Sequence, residues 1–417
     1  MRQLRLILLF LSIILISDIH SQSLRIAVLS DLHFLSPRLI DNGEALSNYE
    51  ARTGRKVVVL HEVIQKVIDE ILVGEFDAIF ITGDLTNHGE RDSHIDLIQL
   101  LTPLKNQGIK IFVVPGNHDV NIPNSVSYIG DTPKLVESIT DNQFMSLYNS
   151  FGYNNMIMKD RNSLSYLAEI DKSTWLLALD TNLYKEYEKS SISRGRISSE
   201  TMEWVLDILE EAKSKGITVL GMMHHGLVEH LPYQSTFFSD YLIDDWEMNA
   251  RILANAGLRV VFTGHFHAND VTSFTTPEGN TVFDVETGSL AQYPFPYRII
   301  NLIGNTLDIE TRFISEVESE PNLTDRFMKI HERIARSAIS NRIKSMGMSL
   351  PNETNEVLVE LLTRMSVLHA AGDEEISPDA YKIIQRFAKV MDDDNFDPST
   401  FSIDYPPSDN KLKIELR

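Results

Sequence analysis

The chain has 417 residues, 43% hydrophobic and 23% charged, enough to bury a sizeable core in one large domain with an appendage or in two domains, which excludes whole-chain disorder. A formal charge of −21 disfavours a nonspecific binder of nucleic-acid polymers, because so acidic a surface repels long phosphate backbones, yet it allows a small phosphate ester drawn to local cations. The chain has no cysteine, so disulfides, thiol nucleophiles, thiolate metal sites and the lipid-bearing cysteine of a bacterial lipoprotein are all excluded.

Arg2 and Arg5 precede the apolar run Leu6 to Ile16 and a polar stretch ending at Ser21, the layout of a secretory signal peptide. A retained membrane anchor is the alternative, but the run falls short of the about 20 residues a spanning helix needs. Residues 1–21 therefore read as a removed signal, which places the mature protein in the periplasm or outside the cell with no stable membrane anchor. Losing Arg2, Arg5 and Asp18 takes the formal charge from −21 to −22.

Leu24 to Ser30 reads as the first strand and runs into Asp31-Leu-His33. In extended chain the i, i+2 spacing would put both side chains on one side, able to grip one ion, although on this pair alone a simple turn is the better reading. Arg55 to Leu72 has helical periodicity, with His61 on its surface. Asp77 to Thr82 is a second strand, closed by Gly83-Asp84, and Gly89 to Asn106 is the next helix. Ile111 to Val114 then delivers Pro115-Gly-Asn-His-Asp119. Strand and helix alternating in this order predict right-handed βαβ units and a largely parallel sheet, whose ligands gather beyond the carboxyl ends of the strands. Asp31, Asp84 and Asn117 all fall there.

Residues 121–161 break the rhythm with turn-rich sequence and aromatics at Tyr128, Phe144, Tyr148, Phe151 and Tyr153. They read as an insertion beside the site, either a wall of a substrate pocket or a packed surface excursion. Strands resume at Leu164 to Ile170 and at Trp175 to Leu179, the latter ending at Asp180-Thr-Asn182. Ser198 to Lys215 is a capped helix with Met202, Val205, Leu206 and Leu209 as its buried stripe. Ile217 to Met223 delivers His224-His225, and after a helix around Asp244 to Ala256, Leu258 to Thr263 delivers Gly264-His-Phe-His267. His265 and His267 repeat the i, i+2 spacing and are expected to point the same way. Asp270 to Glu310 reads as short strands completing a second sheet.

From residue 315 the pattern turns helical over Asp325 to Ser345, Glu353 to Ala371 and Pro378 to Met391, with apolar spacing that marks packing stripes. Asn322-Leu-Thr and Asn352-Glu-Thr match a glycosylation pattern but are more simply cap regions. Leu412 to Leu416 could be an edge strand. The expected fold is α/β, a four-layer α/β/β/α sandwich of two mixed sheets spanning residues 22–314, followed by a small helical module over 315–417.

In order, the loop-end residues are Asp31-x-His33, Gly83-Asp84, Gly116-Asn-His-Asp119, His224-His225 and Gly264-His-x-His267. This series, with its order and spacing, resembles the calcineurin-like metallophosphoesterase superfamily from residue 24 to about 290. The resemblance implies a dinuclear metal centre. Asp31, His33 and His267 would hold one ion, Asn117, His224 and His265 the other, and Asp84 would bridge them, His224 being preferred to His225. Two cations roughly 3.5–4 Å apart can clamp a phosphoryl group and acidify a bridging water for in-line attack. Ligands without sulfur but with four imidazoles suit divalent or trivalent transition-metal ions, with Mn, Fe or Zn foremost. His118, beside ligand Asn117, is assigned to assist the leaving group, and Asp119 to orient its neighbours. His88, His94, His230, His331 and His369 read as structural.

Departures within the superfamily narrow the class. Asn87 stands where purple acid phosphatases carry their tyrosine and protein phosphatases an aspartate, and Gly-His-x-His is unusual for the latter. The pattern looks closest to bacterial class III cyclic nucleotide phosphodiesterases, in a secreted branch with a helical carboxyl-terminal module known from Gram-positive bacteria. The implied activity is hydrolysis of small phosphodiesters such as cyclic nucleotides by a metal-bridging hydroxide. A broad phosphomonoesterase or nucleotidase is the enzymatic alternative, and a silent metal-binding or ligand-binding protein on the same scaffold the non-enzymatic one. Asn87, Tyr293, Tyr297 and Arg298 are candidate substrate contacts.

Overall fold

The computed structural model describes residues 23–345, 347, 351–374, 378, 381–383, 385–386 and 404–416. The amino-terminal segment, and most of the helix expected over 378–391, lie outside the described residues.

In chain order the first half comprises β1 (Ser23–Leu29), α1 (Glu44–Thr53), α2 (Val57–Val73), β2 (Ala78–Ile81), α3 (Arg91–Asn106) and β3 (Lys110–Val113). A small hairpin, β4 (Val126–Ser127) and β5 (Lys134–Leu135), precedes α4 (Asp141–Leu147) and β6 (Met156–Lys159). Next come β7 (Tyr166–Asp171), β8 (Thr174–Leu179), α5 (Ser199–Lys215), β9 (Thr218–Met223), α6 (Trp246–Ala256) and β10 (Val260–Thr263). The chain continues through β11 (Val271–Thr275), β12 (Thr281–Glu286), β13 (Pro296–Ile303), β14 (Thr306–Phe313), α7 (Leu323–Ser345), α8 (Asn352–Ala371) and β15 (Lys411–Glu415).

These strands form two mixed sheets, one in the order β15-β14-β13-β1-β2-β3 and one in the order β11-β12-β10-β9-β8-β7-β6. β1, β2 and β3 run parallel, as do β8, β9, β10 and β12. Buried on both faces, they read as near-continuous apolar runs such as Ala78-Ile-Phe-Ile81. The sheets face each other across Phe80, whose ring lies 5.8 Å from that of Phe262. On the outer face of the second sheet, Met202, Val205 and Leu209 of α5 and Leu253 of α6 pack with Trp175, Leu177 and Val261. α2 and α3 cover the first sheet through Val63, Ile64, Val67, Leu97 and Leu101. The four-layer α/β sandwich expected from the sequence is therefore present.

Local signals explain most boundaries. Ser198 caps α5 by accepting from Thr201 N at 3.1 Å, and Gly216 ends it in the left-handed conformation. α1 is not evident in the sequence because its buried stripe is only Ala45, Leu46 and Tyr49.

One expectation is corrected. The strands of 270–310 divide between the sheets: β11 and β12 extend the second, whereas β13 and β14 join the first, β13 pairing antiparallel with β1 from Ser23↔Ile303 to Val28↔Arg298. β1 has two edges and β2 covers only one, so the long apolar strand 296–303 closes the other. The helical region past 314 packs against the main domain. Leu323 and Phe327 of α7 enter the main core, the Phe327 ring lies 5.0 Å from Phe295, and β15 returns as the edge strand on β14. In the insertion, Phe144, Tyr148, Phe151 and Tyr153 are core residues. Several of its residues approach the loop after Asp84, Asn124 reaching His88 at 3.0 Å and Ser138 bridging to Glu90.

Candidate metal centre

The carboxyl ends of β1, β2, β3, β9 and β10 converge where the two sheets meet. Cross-links fix this edge: Gly264 N donates to the His224 carbonyl at 3.0 Å, and Thr82 Oγ1 donates to Ser30 Oγ at 2.6 Å. The glycines here permit close approach. A Cβ on Gly116 would lie 2.2 Å from both Asp84 N and Asp84 Oδ1, so no larger residue fits without moving the aspartate.

Asp84 N aside, the Asp84 carboxylate organises the centre. Its Oδ1 accepts from His118 N at 2.9 Å and lies 3.5 Å from His224 Nε2, while its Oδ2 lies 3.6 Å from His33 Nε2. Asp31 Oδ1 is 3.0 Å from His267 Nε2, and Asp31 Oδ2 accepts from His265 N at 2.9 Å. Asn117 Oδ1 sits 3.2 Å from His224 Nε2. Asp31, His33, Asp84 and His267 thus offer ligand atoms within 4.8 Å of one another, and so do Asp84, His224 and His265. Asp84 belongs to both groups.

The backbone achieves this differently from the extended spacing expected. Asp31, His33, Asp84, His265 and His267 all have positive φ, from 42° to 75°, so strand alternation does not apply to them. Such conformations cost of order 1–3 kcal/mol each in non-glycine residues and persist where surrounding structure enforces them, often at functional sites. His265 and His267 consequently do not point the same way: His265 faces the His224 group and His267 the Asp31 group.

The donor set fits cations. His33 Nε2 and His267 Nε2 lie only 3.2 Å apart, and the buried His33 Nδ1 has no hydrogen-bond partner. Burial, with Arg55 next in effect, holds His33 well below the usual imidazole range, and burial likewise lowers His224. Both are therefore neutral, as ligands must be. Burial, then the charges of Asp31 and Asp119, pushes Asp84 well above the carboxylate range, so positive charge is wanted between these groups. Hydrogen bonds also select the ligating nitrogens. His224 Nδ1 donates to the Thr82 carbonyl at 2.9 Å, leaving Nε2, and His265 Nε2 donates to the Asp240 carbonyl at 3.1 Å, leaving Nδ1. His225 is excluded: its Nε2 donates to the Ser193 carbonyl at 2.8 Å and its Nδ1 bonds Thr181 Oγ1 at 2.7 Å.

His118 is half-buried beside this pair of groups, its ring 5.1 Å from that of His33. Its Nδ1 donates to the Asn87 carbonyl at 2.9 Å and lies 3.1 Å from His88 Nδ1, so Nε2 is the nitrogen left for a ligand. Asp119 is fully buried, accepting from Leu85 N at 3.0 Å, Thr86 N at 2.9 Å and Gly116 N at 2.8 Å. It ties the Asp84 loop to the Asn117 loop and has no oxygen left for substrate.

The substrate candidates fare otherwise than expected. Arg298 is 0% exposed, with its guanidinium donating to the carbonyls of Glu286 at 2.6 Å and Asp409 at 2.5 Å, so it cannot meet substrate. Tyr297 is buried and donates to Glu70 at 2.7 Å, on α2. The Asn87 amide is consumed by Tyr49 at 2.6 Å and Glu90 at 3.0 Å, leaving its carbonyl to position His118. Tyr293 is half-buried, 5.9 Å from the His331 ring of α7. Arg55, just after the left-handed Gly54 that ends α1, is a further cation whose charge acts on His33, Asp84, His88 and His118. The sequence reading put Arg55 at a helix start. A glycine one residue earlier was the available sign of a loop.

His94 supports the same loops from behind. Its Nε2 meets the Asp119 carbonyl at 3.0 Å and its Nδ1 meets Tyr148 Oη at 2.9 Å. Burial takes this imidazole down to about 3, so the folded protein keeps it neutral while the unfolded chain binds a proton near pH 6.5. Its stabilising contribution is complete above about pH 6.5 and is lost as pH falls towards 3. In urea unfolding between pH 7.5 and 5, wild type should lose about 2 kcal/mol more stability than His94→Gln. Equal losses would show that this histidine is not the titrating group.

A two-sheet α/β sandwich whose strand ends carry two overlapping groups able to hold cations is the architecture of a metallophosphoesterase domain. The chain belongs to the calcineurin-like phosphoesterases, matching that family over residues 24–269. Curated relatives include a probable cyclic nucleotide phosphodiesterase of Coxiella burnetii, 34% identical over 105 residues, covering 25% of this chain and 35% of the relative. Another, from Ruthia magnifica subsp. Calyptogena magnifica, is 39% identical over 61 residues, 15% of this chain and 25% of the relative. The chain thus spans only a quarter to a third of these relatives' length. A dimetal phosphatase of Danio rerio, known from a crystal structure, is 12% identical with a TM-score of 0.48, covering 70% of this chain and 96% of its own.

Proposed function

We propose that the protein is an exported phosphodiesterase that hydrolyses small diesters such as cyclic nucleotides at a dinuclear centre of Mn, Fe or Zn. The observation that carries this is Asp84, whose two oxygens face two separate ligand groups. Asp31, His33 and His267 would hold one ion and Asn117, His224 and His265 the other. Bound there, the ions would supply Lewis-acid charge for phosphoryl transfer. With Nδ1 committed to the Asn87 carbonyl, His118 can give the leaving oxygen a proton from Nε2 only as the imidazolium, a form that burial disfavours and that a bound phosphate's negative charge would favour. Arg55 supplies fixed positive charge to a phosphate oxygen.

The names of the curated relatives support the diester reading. The test compares bis-p-nitrophenyl phosphate, p-nitrophenyl phosphate and a cyclic nucleotide with added Mn²⁺. Preference for the monoester would overturn the proposal. Arg55→Ala should leave metal content unchanged and raise KM about tenfold or more, since a hydrogen bond to a charged group is worth about 1.5–3 kcal/mol. An unchanged KM would remove Arg55 from the substrate site. Export rests on Arg2, Arg5 and Leu6 to Ile16, and mass spectrometry of protein recovered outside the cytoplasm should show residues 1–21 removed.

A further inference from the structure

Three residues past His267 begins a second polar cluster, separate from the ligands described above and buried between β11, β12 and the region past residue 314. Asp270 Oδ2 is bound by His230 Nδ1 at 2.5 Å, but its Oδ1 has no hydrogen-bond partner and lies 3.8 Å from His369 Nδ1 at the end of α8. His369 Nδ1 meets Glu374 Oε1 at 2.6 Å, and both His369 Nε2 and Glu374 Oε2 lack partners. Asp270, His369 and Glu374 are all more than nine-tenths buried and offer ligand atoms within 4.8 Å of one another. Behind them, His230 Nε2 lies 3.3 Å from Asp284 Oδ2 and 3.6 Å from Glu286 Oε2, an oxygen that again has no partner.

The charges do not balance. Among the described residues the buried carboxylates of Asp270, Asp284, Glu286, Glu374 and Asp409 share this space with the Arg298 guanidinium and the imidazoles of His230 and His369. Even with both imidazoles protonated, two negative charges remain over. Unsatisfied buried acceptors cost about 1–3 kcal/mol each, more when charged, so a fold that gathers several in one place needs a positive occupant.

We propose that Asp270, His369 and Glu374 bind a third divalent cation of the first transition row, which fastens the helical region to the loop carrying His265 and His267. One imidazole with two carboxylates suits Zn²⁺ or Mn²⁺, whereas an all-oxygen set would be expected for Ca²⁺. The surroundings fit a fastening. Asn269 N donates to the His369 carbonyl at 3.2 Å, Asn269 Nδ2 donates to Asn410 Oδ1 at 2.6 Å, and Val271 N donates to Asp409 Oδ1 at 2.8 Å. Segments more than a hundred residues apart in sequence therefore meet around this point. Without a cation, burial pushes Glu286 and Asp409 up to about 8, so the cluster would have to hold protons at neutral pH.

The rival occupant is a proton, shared by His369 with Glu374 and Asp270. Full-length protein is saturated with Zn²⁺, desalted and assayed for metal per chain. Wild type should hold three equivalents, the double variant Asp84→Asn/His224→Ala should still hold one, and adding Glu374→Gln to it should remove that one. Zn²⁺ should also raise the Tm of the stripped double variant by several degrees, a shift that Glu374→Gln abolishes. Two equivalents in wild type with none in the double variant would overturn the third site while leaving the proposed dinuclear centre standing. Three in wild type with loss of all in the double variant would also overturn it, because the third ion would then depend on the first two.

Discussion

Asp84→Asn is expected to lower bound metal from two equivalents at the dinuclear centre to one or fewer, and kcat/KM by about 10²–10⁴-fold. The shape of the side chain is kept, but one of its two oxygens becomes an amide nitrogen that no cation will accept. Since Oδ1 faces the His224 side and Oδ2 the His33 side, either flip of the amide abandons one group. Removing one partner of a buried charge pair costs about 3–5 kcal/mol, which converts to that range of rate. The stripped proteins should behave in the opposite sense. Asp31 and Asp119 both raise the proton affinity of Asp84, so the neutral amide relieves repulsion, and stripped Asp84→Asn should melt no lower than stripped wild type. Metal analysis, kinetics and melting together check this. Full activity with two metals retained would remove Asp84 from its bridging place.

His118→Ala is expected to lower kcat by about 10²–10⁴-fold on a cyclic nucleotide, whose alkoxide leaving group needs a proton, with metal content unchanged. The substitution is clean because the bond to Asp84 comes from the His118 backbone N–H and survives it. With bis-p-nitrophenyl phosphate the nitrophenolate leaves unaided, and the loss should be under about tenfold. Equal losses on both substrates would show that His118 acts through binding or charge instead. Asn87 can be read in the same experiment, since its carbonyl holds His118 Nδ1 and would still do so in Asn87→Ala. That variant should therefore keep most of the leaving-group dependence.

The residues that the sequence marked most plainly are those placed directly after strands. A short apolar run followed by Asp or His is a local pattern, and five such runs in a fixed order define a family without reference to any contact. The same locality misled where it was carried too far. Asp31-x-His33 and Gly264-His-x-His267 look like alternating strand residues, yet the left-handed backbone at all four side chains sends His265 and His267 to different groups. Arg298 looked like a cation available to substrate, because nothing near it in sequence reveals that Glu286 and Asp409 enclose it.

The order of most elements and the two-sheet class were thus written in short-range periodicity, and the family in strand-end residues whose resemblance implied that seven ligand-type side chains converge. Tertiary structure alone decided that β13 and β14 complete the first sheet, that Leu323 and Phe327 enter its core, and that the Arg55 charge acts on His118. It also decided that Asp270 meets His369 and Glu374. The reason is physical: hydrophobic period is set between neighbours a few residues apart, whereas the pairing of a free strand edge and the balance of buried charge depend on groups a hundred or more residues away, which come into reach only when the whole core closes.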